Sequence, residues 1–192
     1  SPRSARRPSR PVELLEALDK LNGIEWIRLL YLHPAALTND LIDYMAASTN
    51  KTLPYFDLPL QHVNDDILSR MRRVVDRASV ETLLARIKSA APHGTMRTTF
   101  IVGFPGETET QFRELLGFIE TWQFDRLGVF PYSVEEGTLS EIMPDQVLET
   151  EKSRRVDEVM TLQREIAFAK NEQFVGTTVD VLIDSVTEDG AV

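Results

Sequence analysis

Three short strings place polar or glycine-rich residues directly after apolar runs, where α/β proteins present ligand-binding groups. The first is Pro59-Leu-Gln-His62. Gln61 offers both a donor and acceptors, and His62 can donate or accept, a combination suited to a ribose or a carboxylate. The second is Thr98-Thr-Phe-Ile-Val-Gly-Phe-Pro-Gly-Glu-Thr108. Here Gly103, Pro105 and Gly106 break a β-branched and aromatic run, leaving backbone N–H and C=O groups free at its end. The third is Phe130-Pro-Tyr-Ser133, followed by Glu135-Glu-Gly-Thr138. The adjacent carboxylates of Glu135 and Glu136 on a turn could anchor a basic substrate loop. Taken singly, each string also reads as ordinary structure: a cap, a βα turn, a polar loop.

Other reactive side chains carry less. Arg70-Met-Arg-Arg73 is a basic cluster that could hold a phosphate or an acidic surface, although exposed helix arginines are usually solvated. His33 and His93 sit next to prolines with no ligand spacing to any partner, so a histidine-only metal site is disfavoured. The sequence contains no cysteine, which removes both disulfides and thiolate metal ligation. It contains no Walker motif, no nucleophile elbow and no dinucleotide-binding fingerprint.

The elements that must position these groups alternate between helix and strand. Leu14, Leu15, Leu18 and Leu21 fall at helical spacing, closed by Asn22-Gly23. Ile24 to Leu32 is a long apolar run whose two faces both look buried, as in a parallel strand. Leu37, Leu41, Ile42 and Met45 mark a helix that Thr38 or Asn39 could cap. Strands follow over Tyr55–Leu60, Arg97–Val102 and Arg126–Tyr132, separated by a helical stripe at Val80, Leu83, Leu84 and Ile87 and a helix over Thr108–Trp122. In that last helix Thr108 and Gln111 form a capping box. Four strand starts spaced by about one βα unit imply parallel strands with right-handed crossovers. A long charged helix is expected over 145–176, with Val156, Met160, Gln163 and Ile166 in phase, and then the first strand of a further domain over 177–192.

Composition sets the outer bounds. The 192 residues, 42% hydrophobic and 27% charged, are ordinary for a soluble globular protein. No apolar run approaches the ~18 residues of a membrane span, so the expectation is a cytoplasmic protein, monomeric, without a membrane partner. Acidic residues outnumber Lys plus Arg by 30 to 21, for a net charge of −9, which repels phosphate backbones and attracts basic proteins. Residues 1–11 carry four arginines and little to bury, and read as a disordered basic lead-in.

Read together, five segments resemble the radical S-adenosylmethionine (SAM) methylthiotransferase family in order and spacing. They are Gly23-Ile-Glu-Trp-Ile-Arg-Leu-Leu-Tyr31, Tyr55-Phe-Asp-Leu-Pro-Leu-Gln-His62, Leu68-Ser-Arg-Met-Arg-Arg73, Ile101-Val-Gly-Phe-Pro-Gly-Glu-Thr108 and Leu127-Gly-Val-Phe-Pro-Tyr-Ser-Val-Glu-Glu-Gly-Thr138. The resemblance spans roughly residues 12 to 186. It is closest to the branch that modifies an aspartate of a ribosomal protein, because Pro59-Leu-Gln-His62 and Glu135-Glu-Gly-Thr138 differ from the strings typical of the tRNA-modifying branch. The acidic balance agrees, since the substrate protein is basic and tRNA is anionic.

The resemblance implies an α/β fold: the last four βα units of a partial, TIM-like radical-SAM barrel (residues 12–144), the linking helix and a truncated start of a TRAM β-domain. It implies two 4Fe-4S clusters, one of which reductively cleaves SAM to a 5′-deoxyadenosyl radical that attacks the aspartate β-carbon. A methylthio group is then attached there. SAM would lie across the strand ends at Gln61, His62, Gly103, Phe104, Phe130 and Tyr132. Backbone groups of Gly103 and Tyr132 would meet the adenine edge, and Gln61 the ribose or methionyl part. Glu135 and Glu136 would face the basic ribosomal protein. The family's three-cysteine loop would precede residue 11, and this sequence contains none of it, nor the second cluster's cysteines. The expectation is therefore no catalytic residue, no metal ligand and no activity in this chain alone, with the parent enzyme active. Two readings stay open beside it: a tRNA-modifying enzyme, and a cluster-free module that binds a basic ribosomal protein.

Overall fold

The computed structural model describes residues 11–47 and 49–181. Residues 1–10 of the expected lead-in and residues 182–192 of the expected last strand lie outside it, and 177–181 carry no strand. Strands β1 (Tyr55–Gln61), β2 (Thr95–Val102) and β3 (Arg126–Pro131) form one parallel sheet in that order. Helices α1 (Pro11–Asp19) and α2 (Asn39–Ala46) precede it. Helices α3 (Asp65–Arg70) and α4 (Arg77–Ala90) join β1 to β2, α5 (Glu109–Trp122) joins β2 to β3, and α6 (Glu149–Glu172) follows. The βα alternation read from the sequence is therefore present from Tyr55 onward.

Local chemistry fixes the element boundaries. Asn64 Oδ1 accepts from the Asp66 and Ile67 N–H groups at the start of α3, and Asp76 accepts from Ser79 N–H at the start of α4. The capping box of α5 is complete: Thr108 Oγ1 accepts from Gln111 N–H, while Gln111 Oε1 accepts from Thr108 N–H at 2.9 Å. Each such cap satisfies orphan donors that would otherwise cost about 1 kcal/mol. Between them, β2 alternates strictly, burying Met96, Thr98, Phe100 and Val102. Phe100 meets Phe118 of α5 and Phe124 edge-on, with centroids 6.5 and 6.1 Å apart, anchoring a core that includes Phe56, Leu84, Phe112 and Ile119. Complete burial of each large apolar side chain contributes about 1.5–3 kcal/mol.

Two expectations are corrected. Ile24–Leu32 is not a strand; it meets the sheet region through an isolated parallel bridge of Ile27 with Thr52, bonds from Tyr31 N–H to Asp57 Oδ2 and from Leu32 N–H to the Asp57 carbonyl, and Arg28 over the Tyr55 ring. Ile27, Leu29 and Leu32 are half-buried, but Trp26, Leu30 and Tyr31 are exposed, so only one face is covered. Tyr31 also adopts a left-handed φ of 56°, which ends any ladder there. In α6 the buried face is Lys152, Arg155, Val159, Gln163 and Ile166. Of the expected stripe, Gln163 and Ile166 are buried and Val156 is half-buried, but Met160 is exposed.

Candidate functional site

A cleft of about 340 Å³ opens at the carboxyl end of the sheet. One half is built by strand ends: Gln61 of β1, Ile101 of β2, and Phe104 and Tyr132 just beyond β2 and β3. The other half comes from the turn after α3, with Arg70, Met71, Arg72 and Arg73, and from Leu139, Ser140 and Met143. A larger cavity, about 450 Å³, lies at the opposite end of the strands among Tyr55, Thr95, Arg126 and Phe174. Parallel α/β sheets bind ligands at the carboxyl ends, where βα turns free backbone groups, so the smaller cleft is the candidate site.

Of the residues singled out from the sequence, Gln61, Phe104 and Tyr132 line this cleft. Gln61 ends β1 in a left-handed conformation, φ 71°, after the ladder slips register beyond Leu58. Phe104 and Tyr132 meet edge-on with centroids 5.1 Å apart, forming an aromatic wall. Tyr132 is only 8% exposed, and its hydroxyl is buried with no hydrogen-bond partner among the described residues. A buried orphan of this kind, on a residue that lines a cleft, is what a ligand's polar group would satisfy.

The remaining expected residues lie elsewhere. His62 is fully buried beneath the cleft: Nδ1 accepts from Asn64 N–H at 3.0 Å, so Nε2 carries the proton and faces Glu107 Oε1 at 3.4 Å. Phe130 is paired in register with Ile101 but is 60% exposed and outside the cleft lining. Glu135 and Glu136 are exposed on their turn, which Thr138 closes by donating from N–H and Oγ1 to the Glu135 carbonyl. The segment reaches the cleft only later, through residues 139–143. Of the backbone groups expected at the adenine edge, the two N–H groups are already engaged. The Gly103 N–H donates to Glu107 Oε2, and the Tyr132 N–H donates to the Val102 carbonyl at 2.8 Å. Neither N–H is free for a ligand, although the Tyr132 carbonyl keeps a second lone pair.

Sequence reasoning missed the charges that hold this floor. Glu107, with its carboxylate fully buried, accepts from Gly103 N–H, faces His62 Nε2, and pairs with Arg155 Nη1 at 3.2 Å. Arg155 Nη1 also donates to the Glu107 carbonyl at 3.0 Å, and its Nε reaches Glu151 at 2.8 Å. Lys152, 2% exposed, runs its methylenes across Gly103 and donates from Nζ to the Tyr132 carbonyl at 2.9 Å. Gly103 has φ 76°, and a Cβ there would overlap Lys152 Cγ, so glycine is required twice over. The only advance signal was a Lys and an Arg in phase with Val159, Gln163 and Ile166.

At the helix surface Glu151 is held well below the usual carboxylate range, at about 2, mainly by its hydrogen bond to Arg154 and then by Arg155. In turn the hydrogen bond to Glu151, and then Glu109, push the Arg154 guanidinium up. Charge is treated differently in the turn after α3. None of the guanidinium groups of Arg70, Arg72 and Arg73 makes a hydrogen bond or ion pair among the described residues, and no carboxylate lines the cleft.

The described residues contain no cluster of histidine, cysteine or carboxylate side chains able to hold a metal ion, and no helix long and apolar enough to cross a membrane. An iron–sulfur cluster held by thiolates does not fit the residues present, because the sequence has no cysteine. A flat, polar-edged ligand of nucleoside size does fit the strand-end half, with its aromatic wall, the Gln61 amide and the orphaned Tyr132 hydroxyl.

The family model described as the radical SAM superfamily matches residues 7–119. Ribosomal protein uS12 methylthiotransferase RimO of Aquifex aeolicus is 50% identical over 178 residues, 93% of this chain and 41% of that protein. The RimO of Bdellovibrio bacteriovorus is 46% identical over 183 residues, 95% of this chain and 40% of its own length. The chain thus spans about 40% of the length of the curated relatives it matches. Among solved structures, the Escherichia coli coproporphyrinogen III oxidase HemN, a radical SAM enzyme, superposes with a TM-score of 0.55 at 20% identity. That match covers 79% of this chain and 34% of HemN, a likeness of fold alone.

Proposed function

Because the chain belongs to the radical SAM superfamily, we propose that it forms the carboxyl-terminal barrel portion of a RimO-type enzyme. That enzyme adds a methylthio group to the β-carbon of an aspartate in ribosomal protein uS12. The observation that carries this reading is the strand-end cleft of Gln61, Phe104 and Tyr132 in a chain 42–50% identical to eight RimO proteins. Bound SAM supplies the radical precursor and the methyl group of such chemistry. Phe104 and Tyr132 offer flat apolar surface to an adenine, the Tyr132 hydroxyl and second carbonyl lone pair offer polar contacts, and Gln61 reaches the sugar or methionyl portion. His62 and Gly103 serve this site from below: both engage Glu107, which fixes the turn that carries Phe104.

Cluster ligands must come from segments other than the sequence given, since no cysteine is in it. The complete enzyme is therefore this chain joined to the cysteine-bearing segments that the resemblance places before it. Such an enzyme, loaded anaerobically with iron and sulfide and supplied with SAM and a reductant, is expected to give uS12 the mass of one added methylthio group at an aspartate. The 192-residue chain alone, treated identically, is expected to form no 5′-deoxyadenosine. Modification of tRNA instead of uS12, or SAM cleavage with uS12 left unmodified, would overturn the assignment.

A further inference from the structure

Three adjacent arginines without partners are unusual in this protein. Many of its other surface cations are drawn into ion pairs: Arg77 with Glu81, Arg86 with Asp43, Arg113 and Arg154 with Glu109 and Glu158, Lys170 with Asp125. With thirty carboxylates available and a net charge of −9, Arg70, Arg72 and Arg73 nevertheless face a cleft that no carboxylate lines. Arg70 and Arg73 are half-buried, and the Arg70 guanidinium lies close against Gly106 of the β2–α5 turn. Arg72 stands at the end of α3 with φ 57°, its N–H bonded to the Ser69 carbonyl and the next N–H to Leu68. This left-handed closing position usually holds glycine, and an arginine there costs roughly 1–2 kcal/mol of backbone strain. The turn therefore carries both unpaired charge and strain at the mouth of the site.

We propose that Arg70, Arg72 and Arg73 form the subsite that receives the carboxylate of the target aspartate, and so select aspartate over its neutral amide. The proposal rests on the uS12 reading above and deepens it. The cleft has two unlike halves: the strand ends supply aromatic surface and single polar groups, and the arginine turn supplies positive charge. A substrate side chain whose β-carbon must approach a ligand on the strand ends carries its carboxylate one bond away. In a cleft partly shielded from water that charge requires cations within hydrogen-bond reach. Guanidinium groups meet carboxylates in bidentate fashion, and charge-assisted bonds of this type are the strong ones. A nucleic-acid phosphate is the less suitable anion, because the acidic protein repels an extended phosphate chain.

The test uses the complete cluster-loaded enzyme and two forms of uS12, one with the target aspartate and one with asparagine in its place. Wild type is expected to bind the aspartate form about ten- to a hundredfold more tightly, the range for a hydrogen-bonded charge. R70Q/R72Q/R73Q is expected to bind both forms equally, with its melting temperature kept and its SAM affinity changed far less than its substrate preference. Replacing all three with lysine, which retains charge but not the planar fork, should recover part of the preference. Equal binding of the two forms by wild type overturns the proposal while leaving the uS12 reading intact. Loss of SAM affinity with substrate preference kept makes the anion SAM's own carboxylate, and also overturns it. Failure of wild type to bind uS12 at all, with tRNA bound instead, removes the uS12 reading and the proposal with it.

Discussion

The floor of the cleft and its rim hold the same kinds of charged side chain in opposite states. In the floor, Glu107, Arg155 and Lys152 are almost wholly buried, and every one is satisfied: the carboxylate by a backbone N–H, a histidine and a guanidinium, the lysine by a backbone carbonyl. At the rim, Arg70, Arg72 and Arg73 remain partly or fully exposed with no partner among the described residues. Buried charges that are paired build shape, and here they pin the turns bearing Phe104 and Tyr132 against α6. Exposed charges that are left unpaired contribute nothing to folding and are available to a ligand. The comparison predicts that substitutions in the floor change stability strongly, whereas substitutions at the rim change recognition.

The largest effect is expected from Arg155→Met, which leaves the Glu107 carboxylate buried with its main cation removed. Such a loss typically costs ~3–5 kcal/mol, measurable by urea or thermal unfolding. A cost near zero would mean that water reaches Glu107 and that the floor is not a sealed network. Gly103→Ala comes next. Its φ of 76° and the overlap with Lys152 Cγ should together cost about 1–3 kcal/mol. Combining it with Lys152→Ala separates the two causes, since only the overlap is relieved.

A third effect depends on pH. Glu151 titrates at about 2 in the folded protein, below its ordinary range, because Arg154 and Arg155 hold its charged form. A depressed carboxylate stabilises above its unfolded value and loses that contribution as pH falls toward the folded one. Wild type should therefore melt above Glu151→Gln at pH 6, and the two curves should converge as pH approaches 2. Parallel curves would show that the ion pairs along α6 do not couple to folding. The smallest effect belongs to the rim. Arg72→Gly relieves a left-handed arginine and should raise stability by up to about 1 kcal/mol, net of glycine's larger unfolded-state entropy. The same change should weaken the preference for aspartate, a direction opposite to that of every floor variant.

Legibility in the sequence followed the range of the interactions. The capping box of α5 and its Phe112, Leu115, Leu116, Ile119 face are local patterns, and both are present as read. Strands β2 and β3 were equally readable, because their β-branched and aromatic runs end at glycine or proline, and β1 was readable from its apolar and aromatic run over Tyr55–Leu60. The run from Ile24 to Leu32 misled because hydrophobicity alone does not reveal that one face stays in water. In α6 the stripe was right at Gln163 and Ile166, but its amino-terminal part misled for the converse reason: Lys152 and Arg155 are buried by partners far away in the chain, such as Glu107, 48 residues from Arg155. In the site, Gln61, Phe104 and Tyr132 followed from their places after strands. The arginine cluster was visible as a cluster, but that its members stay unpaired is a property of the folded surface.

The account stands on SAM binding at the carboxyl ends of the strands rather than in the larger cavity at their amino ends. Amide hydrogen exchange of the complete, cluster-loaded enzyme with and without saturating SAM tests this directly. Slowed exchange is predicted over 61–64, 103–107 and 132–133, with Thr52–Tyr55, Thr95 and Arg126 unchanged. Protection confined to the amino-end cavity, with the Gln61, Phe104 and Tyr132 segments unaffected, would contradict it.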